Sequence, residues 1–99
     1  VIILGGFVHL DPHDIDDFLA EARATYPTAV ANPGNKAISL SAHDAAAGTV
    51  VVFELWTSQE HLDAHLSNPQ VQAIFTKWGS KMSNEVQKYI VQSEGLARG

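Results

Sequence analysis

The stretch Phe53-Glu54-Leu55-Trp56-Thr57-Ser58-Gln59-Glu60-His61-Leu62-Asp63-Ala64-His65-Leu66 reads as the end of an apolar strand, a helix cap, and a helix carrying two histidines one turn apart. The strand begins upstream: Thr49 to Trp56, TVVVFELW, is the strongest β signal in the chain, β-branched and aromatic throughout. Glu54 and Trp56 are two apart and therefore share a face of the sheet, although the alternation does not say which face. Thr57 followed three residues later by Glu60 is a capping-box pattern. Asn68-Pro69 ends the first helix and caps another, in which Val71, Ile74, Phe75, Trp78 and Met82 recur at helical spacing.

The rest of the chain fits around this unit. Val1 to Leu10 is a strand bounded by Asp11-Pro12, weakened by Gly5-Gly6, a pair that suggests a bulge or a close approach by another segment. Asp11 caps the next helix with Pro12 at its first position, and Asp14, Asp16 and Asp17 sit at the positive end of its dipole. Ile15, Phe18, Leu19, Ala22 and Tyr26 supply its apolar period, Pro27 kinks or restarts it, and Asn32-Pro33-Gly34-Asn35 ends it. Lys36 to His43 is a second strand, joined to Thr49–Trp56 by a hairpin loop through Asp44–Gly48. Asn84 to Ser93 is the last strand, and residues 93–99 form a flexible polar tail. The order is βαββαβ with the second helical segment broken in two. It predicts an α+β, ferredoxin-like domain over residues 1–99, with a four-stranded antiparallel sheet and helices on one face. Yet Val1–Leu4 and Val50–Phe53 are continuously apolar, whereas an antiparallel strand with one wet face alternates. Both faces need cover and the helices supply one, so a homodimer packed sheet to sheet is expected.

Composition narrows the function. With 99 residues there is room for one core. A net charge of −5 with six Lys and Arg argues against nucleic acid and against anionic membrane surfaces. The absence of cysteine removes disulfides, zinc–thiolate sites and a thiol nucleophile. Val1–Leu4 is too short for a secretory signal, no segment reaches the ~18 apolar residues of a membrane span, and a cytoplasmic protein is expected.

Several side chains could carry chemistry. His61 and His65 have a spacing that can chelate a metal, but no third ligand belongs to a recognisable motif, so no metal is expected. His65 shares the apolar face of Leu62 and points inward, either as a satisfied core residue or as a base titrating near neutral pH. Glu54, a carboxylate in the most apolar strand, marks either a site or a strand-end salt bridge. Trp56 is a core anchor or a flat wall for an aromatic ligand. Phe75 and Trp78 fit a core at least as well as a binding surface. His9, His13 and His43-Asp44 lie at strand or loop ends and read as solvated.

Taken together, Glu54-x-Trp56-x-Ser58-x-x-x-Leu62-x-x-His65-Leu66, the following Asn68-Pro69, an aromatic at Phe75 and the Pro33-Gly34 turn resemble the antibiotic biosynthesis monooxygenase family. The resemblance spans nearly the whole chain. It implies a dimeric α+β barrel with a cavity between sheet and helices in each subunit. It also implies activities that include cofactor-free oxygenation of quinols and polyketide phenols, isomerisation of small phosphorylated sugars or diketones, and haem degradation. On it, His65 would be the base and Trp56 the wall for the ring, with Phe75, Trp78, Glu54 and Leu62 contacting the substrate. The leading expectation is a homodimeric monooxygenase using O2 and a small aromatic substrate without a cofactor. The alternatives are a non-oxidative isomerase or cyclase and an inert ligand-binding dimer. Two departures bear on this. Ile38 stands where many relatives have Tyr. The Asn and His that haem-degrading members require are missing: Val1–Leu10 has no Asn, and Phe75 falls where the ligating His would be.

Overall fold

A computed structural model describes all residues, 1–99. Strand β1 (Ile2–His9) is followed by a 3-10 turn (Pro12–Asp14) running into α1 (Ile15–Arg23), then α2 (Tyr26–Ala31), β2 (Asn35–Asp44), β3 (Thr49–Trp56), α3 (Gln59–Leu66), α4 (Pro69–Trp78), a 3-10 turn (Gly79–Lys81), β4 (Ser83–Asn84) and β5 (Gln87–Ile90). The sheet is antiparallel in the order β2-β3-β1-β4, with β5 also pairing β1. The ferredoxin-like α+β arrangement read from the sequence is the one observed. No helix is long and apolar enough to cross a membrane.

Two local expectations are corrected. The last strand is two pieces, so the sheet has five strands. Asn84 Oδ1 accepts a hydrogen bond from Val86 N at 2.7 Å, an Asx turn that lifts the chain out of the ladder, while Glu85 N donates to Phe7 O at 2.8 Å. Gly6 faces this kink with φ +148°, and a Cβ there would stand 2.5 Å from the Glu85 carbonyl oxygen. The close approach suspected at Gly5-Gly6 is therefore made by the chain's own last strand. The second correction concerns α3. Its N-cap is Ser58, whose Oγ accepts from His61 N at 3.3 Å. Thr57 is instead held to the β2–β3 ladder by its N–H, which donates to Gly34 O at 2.8 Å. Glu60 consequently falls one position short of completing a capping box. Pro27 restarts rather than kinks its helix, and Asn68 caps α4 through Gln70 N at 2.9 Å as expected.

The helices cover the face bearing the even-numbered residues of β1 and β3. Val8, Leu10, Ile15, Phe18, Leu19, Ala22, Val50, Val52 and Trp78 form one buried cluster, and Ile2, Trp56 and Leu62 form a second. The opposite face carries Ile3, Phe7, Val51, Phe53 and Leu55, of which Phe53 is 41% exposed. Over one end of this face, Val91, Glu94, Gly95 and Leu96 line a groove with Val1, Ile3, Phe53 and Leu55.

Candidate active site

Register places the site. Glu54 pairs with Leu4 on β1 and with Ile38 on β2, and the next row joins Trp56 to Ile2 and Asn35. Because Trp56 and Val52 face the helices, so does Glu54. Above it, Ser58 starts α3 so that Leu62 and His65 point down onto the sheet, and both are buried. Gly34 lets the start of β2 approach α3: a Cβ there would collide with the His61 side chain. Asn32 Nδ2 fastens the same junction by donating to His61 O at 3.0 Å.

Three side chains meet here. The imidazole of His65 lies on the indole of Trp56, with ring centroids 4.7 Å apart and planes at 39°. Trp56 Nε1 donates to Glu54 Oε1 at 3.0 Å. That same oxygen is 3.9 Å from His65 Nε2, and His65 Nδ1 has no partner although it is buried. At 3.9 Å the acid and the imidazole do not bond directly, but one oxygen atom between them could bond both. Burial holds the Glu54 carboxyl above its ordinary pKa, and the bond from Trp56 only partly opposes this. Burial also pushes the His65 imidazole below its ordinary value. Both shifts have one cause, burial, which favours the neutral form of each group.

The pair lies on the wall of a cavity of about 270 Å³. The sheet contributes Leu4, Ile38, Leu40, Val52 and Lys88, the link between β4 and β5 contributes Val86, α1 contributes Phe18 and Ala22, and α3 and α4 contribute Leu66, Val71, Ile74 and Phe75. Thr25, Met82 and Asn84 complete it. Of the lining residues, Leu66, Phe75, Asn84 and Lys88 are solvent-exposed and mark the opening. The walls are mostly apolar, with Glu54 and His65 as the buried ionisable groups.

The model of the family described as antibiotic biosynthesis monooxygenase matches residues 1–77 of the sequence. The chain belongs to the antibiotic biosynthesis monooxygenase family. Solved structures similar to this family member include a protein of Deinococcus radiodurans described as a candidate antibiotic biosynthesis monooxygenase, 13% identical over 100% of both chains with a TM-score of 0.84. Another, from Chloroflexus aurantiacus and described in the same way, is 21% identical over 95% of this chain and 96% of its own, with a TM-score of 0.74. A third, from Nitrosomonas europaea, is 16% identical over 94% and 98%, also at 0.74. At these identities the likeness speaks for the fold, the one known from structures of this family. None of the curated proteins matches the sequence.

Within this monooxygenase-family fold, the residues singled out from the sequence separate into two groups. Glu54, His65 and Phe75 line the cavity. Trp56, Leu62 and Trp78 do not. Trp56 is fully enclosed beneath His65, Leu62 packs with Ile2 and Trp56, and Trp78 meets Phe18 edge to face at 5.6 Å in the main core. His61 turns back to the cap, its Nδ1 2.7 Å from Ser58 Oγ, so the two histidines of α3 serve different ends. No three His, Cys, Asp or Glu side chains converge on one point. His13 and His43 are exposed, and His9 Nε2 is 3.0 Å from Glu85 Oε1 at the sheet edge. Sequence reasoning missed Lys88, Leu4 and Met82 as lining residues. Leu4 could have been found by parity with Ile2, while Lys88 needs the register of β5 against β1.

Proposed function

We propose that the protein is a monooxygenase that uses O2 and an electron-rich aromatic substrate, a phenol or hydroquinone of one or two rings, without a bound cofactor. The observation that carries this reading is the Glu54–His65 pair, 3.9 Å apart on the wall of a largely apolar cavity. Its volume of about 270 Å³ falls near the lower end of the roughly 300–1,000 Å³ usual for ligand sites, which favours a compact substrate. A substrate hydroxyl between the two side chains can bond to both. His65, kept neutral by burial, takes the hydroxyl proton, and a Glu54 carboxylate beside it steadies the imidazolium. The aryloxide left in an apolar cavity is a strong reductant. It passes one electron to O2, the radical pair combines at a ring carbon to a peroxide, His65 returns the proton to give the hydroperoxide, and loss of the hydrogen on that carbon as the O–O bond breaks leaves a carbonyl and water. For a hydroquinone the balance is substrate plus O2 giving hydroxyquinone plus water, with every electron drawn from the substrate. Trp56 acts in this reading as a positioning residue that orients Glu54 and supports His65, and Phe75 flanks the ring at the opening.

The test is O2 consumption with a panel of hydroquinones and hydroxynaphthalenes, with product mass. Turnover that rises above the uncatalysed rate, adds one oxygen atom, and falls in His65→Ala supports the reading. No turnover, or a His65→Ala protein as active as the parent, refutes it, and a product of unchanged mass favours an isomerase or cyclase. The outer sheet face supports a second element of the proposal, that two copies pair through it. Exposed Phe53 and half-buried Ile3, Phe7, Val51 and Leu55 form an apolar surface that no helix covers. Sedimentation equilibrium at micromolar concentration is expected to give a dimer mass, and a monomer mass would overturn it.

A further inference from the structure

Three ionisable side chains line the cavity, and the acid–base pair accounts for two. The third is Lys88, on β5, beyond the residues that the family model matches. Register fixes its place. Lys88 lies opposite Leu4, Leu4 opposite Glu54, and Glu54 opposite Ile38, so one row crosses the cavity floor from the cation to the acid. With strands about 4.8 Å apart, the Lys88 and Glu54 backbones are separated by about 10 Å.

Lys88 also lacks a paired carboxylate, as does Lys81, which lies over the Trp78 ring at 5.3 Å outside the cavity lining. Lys36 and Lys77 each face a carboxylate, Glu94 at 3.4 Å and Glu21 at 2.8 Å. Lys88 Nζ instead donates to the neutral amide oxygen of Gln59 at 2.9 Å and has no carboxylate within ion-pair distance. In a chain of net charge −5, a cation is thus left without a counter-charge at the opening of an apolar cavity.

Building on the reading of this cavity as the substrate site, we propose that Lys88 selects aromatic substrates bearing a carboxylate, and orients them. The carboxylate would replace the Gln59 amide as acceptor, and a bond between charged groups is roughly twice as strong as a neutral one. Glu54 at the other end of the row repels an anion. The ligand therefore enters with its carboxylate at Lys88 and its opposite edge, the one bearing the acidic hydroxyl, at His65. The length of the row matches a two-ring system.

Calorimetric titration of the whole protein with 2-naphthoate and 2-naphthamide tests this. The two probes have the same rings and nearly the same shape, and neither reduces O2. At low ionic strength 2-naphthoate is expected to bind about ten-fold more tightly, with the preference shrinking as salt is added. Lys88→Met should abolish the preference and Lys88→Arg should keep most of it. Equal binding of the two probes, binding of neither, or a preference that survives Lys88→Met overturns the proposal. If Lys88→Met does not fold, the salt dependence with the unaltered protein decides: a preference that salt does not reduce overturns it. Selective binding without O2 consumption would remove the oxygenase reading and leave the ligand class standing. Oxygenation without selectivity would do the reverse.

Discussion

Replacing Glu54 by Gln should make the protein more stable at alkaline pH and less active. The carboxyl sits in the most apolar strand with its side chain 12% exposed, and its one recorded hydrogen bond comes from Trp56 Nε1. Gln has nearly the same shape and keeps an oxygen for that bond, so packing changes little. The charge is what is lost. The folded protein holds the Glu54 pKa above its usual value of 4.5 because burial disfavours the anion. Its neutral form is thus the one that folding favours. That contribution is fully present below about pH 4.5 and disappears as pH rises through the folded-state pKa. Leaving a buried polar group short of partners costs about 1–3 kcal/mol. Since one bond remains and the side chain is nearly dry, Glu54→Gln should gain about 1 kcal/mol, toward the lower end of that range. Urea denaturation of both proteins at pH 4 and pH 8 measures it: near equality at pH 4 and a gain for the variant at pH 8 are expected. A variant less stable at pH 8, or a difference that does not vary with pH, would refute the argument that the folded state disfavours this charge. On the proposed reaction the same variant should also lose O2 consumption, since no carboxylate would remain to steady the His65 imidazolium.

The His65 pKa, lowered by burial, places the acid limb of the pH–rate profile below the usual histidine range near 6.5, and His65→Ala should cost about 10²–10⁴-fold in turnover; a limb at or above the ordinary value would contradict the burial. Trp56→Phe removes the donor to Glu54 and leaves a void, so an unfolding loss of about 1–3 kcal/mol is expected, with activity falling further than in the similarly buried but remote Trp78→Phe; equal losses of activity in the two would reduce Trp56 to a core residue. Gly6→Ala places a Cβ against the Glu85 carbonyl at φ +148° and should destabilise by about 1–3 kcal/mol in denaturant; a neutral substitution would mean that the β5 kink relaxes freely.

Strand and helix identity were legible because the patterns are strong: Thr49–Trp56 begins and ends where the sequence places it. The failures occur where a side chain competes with the backbone. Asn84 captures Val86 N and splits the last strand, and the bond from Thr57 N to Gly34 O ties Thr57 to the sheet and leaves the cap to Ser58. The second contest cannot be judged from propensity, because it depends on Gly34, a partner distant in sequence, whereas the Asx turn at Asn84 is local and its strength against the ladder is what the strand pattern does not show. The site was legible in part for the same reason. Parity put Glu54 and Trp56 on one face, and helical spacing turned His65 inward. Only the sheet register shows that Trp56 lies beneath the pair instead of beside a ligand, and that Lys88 stands on the same row as Glu54.

That burial of Trp56 explains what the Glu54-x-Trp56 spacing can do with a histidine above it. Along a strand, residues two apart project in parallel, so the indole N–H of one can reach the carboxylate of the other, here at 3.0 Å. The ring that supplies the donor also forms the surface on which the imidazole rests, at 4.7 Å. One side chain thereby positions both ionisable groups and fills the space through which water would approach from below. Among the cavity's lining residues, the exposed ones are Leu66, Phe75, Asn84 and Lys88, so solvent and ligand share one entrance. On the proposed function, a ligand filling that entrance would shield the pair, and its own hydroxyl would become the nearest group with which Glu54 and His65 can exchange a proton. In the proposed reaction the chemistry would then start only when the substrate is seated, the condition under which a reactive aryloxide would meet O2 and not water.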